Sequence, residues 1–276
     1  MWTLFVAAAL FADPELKAER PPNSGPQAEA AKGSLVVVGG GTTTATIVDK
    51  VLELAGGSKA KVVLIAEANP EYGPASLAAW KRTKAGKVTL LNVQQPAVAI
   101  KLIREADLIW MPGGLQGVFM NAIRGTDIAD TIRRRYREGA IVGGTSAGAA
   151  VMSKVMIGGR SDLDSLRAGS TPYLMEGLSL WPEVVVDQHF LQKGRFNRLT
   201  LAILDHPDLI GVGIDEETAV IVHGRQFEVI GNNNVTVIDA RKASREKLVQ
   251  GEPAAIRNLK VHVLRDGMKF DFDEGP

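Results

Sequence analysis

From Ser34 onward, short β-branched runs alternate with longer amphipathic stretches, and this alternation constrains the fold more than any other feature of the chain. Ser34–Val38 is a continuous apolar run ending in Gly39-Gly40-Gly41, and Thr42–Leu54 reads as a helix. Strands follow at Lys61–Ala66, Lys87–Val93, Asp107–Met111 and Ala140–Gly143. Helical stretches follow at Pro74–Lys84, Pro96–Ala106, Leu115–Arg124, Ile128–Glu138 and Ala147–Lys154. Strands separated by helices at this spacing imply βαβ units and a mainly parallel sheet. The strands are apolar on both faces, as parallel strands covered by helices on each side must be.

Glu183–Asp187 is a further strand and Arg195–Leu204 a further helix, after which the helical signal fades. Ile210–Ile214, Thr218–Val222, Gln226–Ile230 and Val235–Asp239 are short strands. Gly231-Asn232-Asn233-Asn234 reads as a hairpin loop between the last two. Leu259–Leu264 and Lys269–Phe272 read as a second hairpin around Asp266-Gly267. The expectation is an α/β body with a C-terminal antiparallel β extension, forming one domain over residues 34–276.

A length of 276 residues fits that domain plus a leader. Met1 to Ala12 is an apolar run, too short for the ~20 residues of a membrane span. It has the length of a signal's apolar region, yet no Lys or Arg precedes it. Residues 13–33 are polar and proline-bearing, like a linker. Export to the periplasm or exterior and a cytoplasmic location both stay open. A net charge of +1 leaves no chain-wide footprint for nucleic acid. With no cysteine, disulfides, cysteine-zinc sites and a thiol nucleophile are excluded.

Gly144-Thr145-Ser146-Ala147-Gly148 holds the pattern Gly-x-Ser-x-Gly between an apolar run and a small-residue helix. A sharp strand-to-helix turn there projects Ser146 from the sheet edge and aims the Ala147 N–H at a developing oxyanion. Pro112-Gly113-Gly114 ends the neighbouring strand, so the N–H of Gly113 or Gly114 is the candidate second donor. A plain glycine-rich packing turn is the structural alternative. Of four histidines, His189 is best placed as the base, because it follows the apolar run Val184-Val185-Val186. Asp215, Glu216 and Glu217 follow another apolar run and are the candidate orienting acids. Gly39-Gly40-Gly41 does not complete a dinucleotide fingerprint.

The three stretches Gly144–Ala149, Asp187-Gln188-His189-Phe190 and Gly213-Ile214-Asp215-Glu216 resemble, in order and spacing, the cyanophycinase group of S51 serine peptidases. The resemblance spans Leu35 to Val222. It implies a flavodoxin-like fold similar to class I glutamine amidotransferases, with Ser in place of Cys. It also implies an exopeptidase that cuts β-Asp-Arg units from cyanophycin, a poly-aspartate whose side chains carry arginine. By the same resemblance the protein is a homodimer without metal or other cofactor, Ser146 is the nucleophile, His189 the base and Glu216 the acid. Gln116, Asp187 and Gln188 line the substrate pocket, and Lys193, Arg195 and Arg198 supply cations for substrate carboxylates. Asp187 or Gln116 is then the acceptor for an arginine guanidinium. Lys193 stands where the family favours Arg, Leu115 where an acid is common, and Asn197 where glycine is usual. An isoaspartyl or aspartyl dipeptidase of the same family is the alternative activity, and a non-catalytic binding module the alternative from another class.

Overall fold

The computed structural model describes residues 31–159, 165–167, 170, 172–245 and 249–274. They belong to one unit spanning Ala31–Pro276. The apolar leader over 1–12 and most of the linker over 13–33 lie outside the described residues.

Five strands come first, each followed by at least one helix: β1 (Leu35–Val38), β2 (Lys61–Leu64), β3 (Lys87–Leu90), β4 (Leu108–Met111) and β5 (Ile141–Thr145). The helices are α1 (Ala45–Leu54), α2 (Gly73–Lys81), α3 (Pro96–Arg104), α4 (Gln116–Ile123) and α5 (Ile128–Glu138). The four-residue α6 (Ala147–Ala150) follows β5. Next come a short pair, β6 (Val155–Ile157) and β7 (Leu174–Glu176), then β8 (Val184–Gln188), α7 (Phe196–Asp205), β9 (Ile210–Ile214) and β10 (Thr218–His223). The chain continues through β11 (Gln226–Gly231), β12 (Val235–Asp239), the two-residue pair β13 (Ser244–Arg245) and β14 (Ile256–Arg257), β15 (Lys260–Leu264) and β16 (Lys269–Asp271).

These strands form two main sheets. The larger has the order β16-β11-β10-β1-β5-β4-β2-β3, and β1 to β5 run parallel within it. The smaller has the order β15-β12-β9-β8, with β8 and β9 parallel. On one face of the large sheet, Val36, Val38, Leu64 and Trp110 pack with Ile47 and Val51 of α1 and Trp80 of α2. On the other, Leu35, Val37, Ile109 and Val142 share a core with α3, α4 and α5. That core continues into the small sheet through Val184, Val186, Val212 and Val235. The small sheet's outer face is closed by Leu199, Ala202 and Ile203 of α7. The architecture is α/β, a mostly parallel sheet with helices on both faces and a C-terminal antiparallel part.

Neither expected hairpin forms. β11 pairs with β16 in the large sheet, whereas β12 pairs with β15 in the small one. Gly231–Asn234 and the turn at Asp266-Gly267 are crossovers between the two sheets. Phe227, Val229, Val235, Val237, Leu264 and Phe270 all bury into the shared core, which requires strands on both sides of it. Short apolar runs separated by Gly and Asn look alike in both arrangements, because local pattern carries no information on partner choice. The helix expected over Ala147–Lys154 stops at Ala150.

Candidate active site

The site lies where the C-terminal ends of β1, β4 and β5 meet those of β8 and β9. Each strand ends in a turn that carries one component. Ser146 follows β5 with φ 54° and ψ −112°, a conformation costly for any side-chain-bearing residue. Its N–H donates to Val38 O at 3.1 Å, tying the turn to β1. Gly148 has no room for a side chain, since a Cβ there would lie 1.9 Å from Met111 O. The helix can therefore start directly beneath the strand end.

β8 and β9 pair with Gln188 opposite Ile214, so the residues that follow, His189 and Asp215–Glu217, emerge side by side. Ser146 Oγ lies 2.8 Å from His189 Nε2. His189 Nδ1 lies 2.6 Å from Glu216 Oε1. The ring thus donates its Nδ1 proton to the carboxylate and presents Nε2 as acceptor to the hydroxyl. Burial pushes the His189 pKa below its ordinary value, opposed by the Glu216 hydrogen bond and reinforced by the nearby Lys193 and Arg195 charges. The imidazole is accordingly neutral at neutral pH, as a proton acceptor must be.

Of the three neighbouring acids, only Glu216 meets the imidazole. Asp215 turns inward and accepts from Leu191 N at 3.0 Å and Asn234 N at 3.3 Å. Burial raises its pKa. Glu217 accepts from Asn232 Nδ2 at 3.0 Å. Glu216 is held in turn through its backbone, its N–H donating to Gln192 Oε1 at 3.1 Å and its carbonyl accepting from Asn233 Nδ2 at 2.9 Å.

Gly39-Gly40-Gly41 forms the floor of this relay, a role the sequence reading did not assign. His189 N donates to Gly39 O at 2.6 Å, and Glu217 N donates to Gly40 O at 3.0 Å. A Cβ on Gly40 would lie 2.3 Å from His189 Cε1, and one on Gly41 2.9 Å from Glu216 Cβ. The signal was the triple glycine at a strand's C-terminal end, which reads equally well as a nucleotide loop.

Among the oxyanion candidates, Ala147 follows Ser146 directly at the start of α6. Gly113 is beside the nucleophile, its Cβ direction ending 3.3 Å from Ser146 Cβ. Gly114 instead packs on the Ala68 carbonyl. Gln116 is buried and donates through Nε2 to Ile157 O at 2.7 Å. Lys193 is exposed at the end of the turn after His189.

The two arginines differ from expectation. Arg198 is 1% exposed, and its Nε and Nη2 contact Asp187 Oδ2 and Oδ1 at 2.7 and 2.5 Å. Its Nη1 reaches Gly159 O at 3.2 Å. Arg195 Nη1 donates to the carbonyl and side-chain oxygens of Gln188 and lies 3.7 Å from Asp187. The planar fork of Arg198, expected for a substrate carboxylate, is therefore filled by Asp187, and Nη1 of Arg195 is engaged by Gln188; Asp187 is committed to Arg198 rather than open to a guanidinium. A buried carboxylate requires such a partner, and two flanking arginines supply it. Among the described residues there is no cluster of three or more His, Asp or Glu able to hold a metal. None of their helices is long and apolar enough to cross a membrane.

Residues 35–230 match peptidase family S51. The cyanophycinase of Geminocystis herdmanii is 31% identical over 256 residues, covering 87% of this chain and 94% of its own. That of a Nostoc species is 32% identical over 278 residues, covering 93% and 91%. Among solved structures, a peptidase from an acI-B1 Actinobacterium superposes with a TM-score of 0.59 at 21% identity, over 88% of this chain and 98% of that one. This last likeness shows the shared fold. The match over 35–230 and the near full-length relatives together make the chain a member of peptidase family S51, a peptidase hydrolase.

Proposed function

We propose that the chain is a serine exopeptidase that releases β-Asp-Arg units from cyanophycin through an acyl-enzyme. The observation that carries this reading is the continuous relay Ser146–His189–Glu216, at 2.8 and 2.6 Å, in a chain similar to cyanophycinases over most of its length. His189 Nε2 takes the Ser146 proton as Oγ attacks the scissile carbonyl. The C–N bond then breaks, and His189 returns that proton to the departing amine. Water, deprotonated by the same nitrogen, hydrolyses the ester and regenerates Ser146. Glu216 keeps the ring in the required tautomer and stabilises the imidazolium formed in each step. The N–H groups of Gly113 and Ala147 donate to the oxyanion.

A substrate panel tests the reading. Purified protein is given cyanophycin, isoaspartyl dipeptides and α-aspartyl dipeptides, and products are read by mass spectrometry. Release of β-Asp-Arg from cyanophycin is expected. Cleavage of the simple dipeptides alone overturns the cyanophycin assignment in favour of a dipeptidase.

A further inference from the structure

On the α1–α2 face of the large sheet a cleft of about 430 Å³ opens beside the nucleophile. It begins at Gly113 and Thr145, the residue preceding Ser146. Its floor is Trp110 and Trp80, whose rings meet edge to face at 5.0 Å. Val48, Ala75 and Ala79 form apolar walls, and Tyr72 stands at the rim, 59% exposed. Thr43 and Ser76 add hydroxyls. Among the described residues none of the lining side chains is charged. At the nucleophile end Thr145 Oγ1 is buried and makes no hydrogen bond to the protein.

Gln116 lies on the opposite face, on α4, whose Phe119 and Ile123 join the other core. Ser146 therefore stands between two chemically different flanks, one with polar and charged groups, the other aromatic and neutral. A substrate crossing the nucleophile places one unit on each.

We infer that the aromatic cleft receives the arginyl side chain carried by the unit on the leaving side of the scissile bond, an inference that rests on the cyanophycin reading above. An arginine has a carbon stem that covers apolar wall and a planar head that stacks on aromatic rings. Its stem fits against Val48, Ala75 and Ala79. Its head lies against Tyr72 and Trp80 at the open end, where it keeps part of its hydration. Its N–H groups meet the hydroxyl oxygens of Thr43 and Ser76. No carboxylate is needed, which answers the commitment of Asp187 to Arg198. Recognition by plane and stem rather than by an opposing charge separates arginine from lysine, whose ammonium is compact and strongly hydrated.

The test uses two-unit β-aspartyl oligomers whose leaving aspartate carries arginine, citrulline, lysine or nothing. For the native protein, kcat/KM is expected to fall by about tenfold from arginine to lysine, while citrulline, planar but uncharged, stays within about threefold of arginine. Ala79→Trp, on an exposed helix position, fills the cleft and is expected to raise KM for the arginyl oligomer by about tenfold or more, collapsing the preference over the unsubstituted unit. Tyr72→Ala is expected to raise it about two- to fivefold. Lysine turned over as well as arginine, or an arginyl preference that survives Ala79→Trp, overturns the cleft assignment while leaving cyanophycin cleavage standing. A native protein that cleaves none of the oligomers but does cleave simple isoaspartyl dipeptides overturns both.

Discussion

Gly40→Ala isolates the geometry of the relay from its chemistry. Gly40 sits at φ 111°, and its Cβ would lie 2.3 Å from His189 Cε1. Ordinary contact begins near 3.4 Å, so the imidazole must retreat by about 1 Å. That displacement stretches the 2.8 Å link to Ser146 and the 2.6 Å link to Glu216 together. A misplacement of about 1 Å in a catalytic group costs on the order of 10²-fold in rate. The positive φ adds about 1–3 kcal/mol of backbone strain, which lowers Tm by roughly 2–10 °C for a domain of this size. Gly56→Ala supplies the control. Gly56 has φ 98° but nothing within 4 Å of its Cβ direction. Both variants should lose similar stability by thermal melting, while only Gly40→Ala loses kcat by about 10²-fold. A Gly40→Ala protein that keeps kcat within twofold refutes the placement of His189 over that glycine.

Other outcomes follow from the same geometry. Glu216→Gln should lower kcat by about 10³–10⁴-fold by favouring the wrong imidazole tautomer, whereas Glu217→Gln should leave it nearly intact; steady-state kinetics on both settles which acid acts. The acid limb of kcat/KM should lie below the ordinary histidine range, because burial lowers the His189 pKa. Removing the Lys193 charge by Lys193→Gln stabilises the imidazolium, raises that pKa and moves the limb to higher pH; an unmoved limb in the pH profile argues against this coupling. Asp187→Asn leaves Arg198 buried without its counter-ion, and a loss of about 3–5 kcal/mol is expected in denaturant unfolding.

Much of the site was legible in the sequence for one reason. Ser146, His189 and the Asp215–Glu217 run each follow an apolar strand, and strand ends in an open α/β fold gather at one edge. What was not legible depended on pairing between distant segments. The family pattern points to Glu216 among three adjacent acids, but its contact with the ring depends on β8 and β9 lying parallel with Gln188 opposite Ile214, a register no local pattern encodes. The role of Gly39-Gly40-Gly41 depends on a ring arriving from the other sheet. An arginine suited to binding a substrate carboxylate is equally suited to neutralising a buried one, so residue type alone does not separate the two roles. Gly and Asn serve hairpins and crossovers alike, so the two crossovers carry the local pattern of hairpins.

In the proposed reaction Ser146, activated by His189, performs the hydrolysis. Its most direct measurement is the rate of β-Asp-Arg release from cyanophycin by the native protein and by Ser146→Ala, compared at matched folding by circular dichroism. Native turnover is expected, with a fall of about 10⁶-fold, to the background of the assay, in Ser146→Ala. Release by Ser146→Ala at the native rate contradicts it.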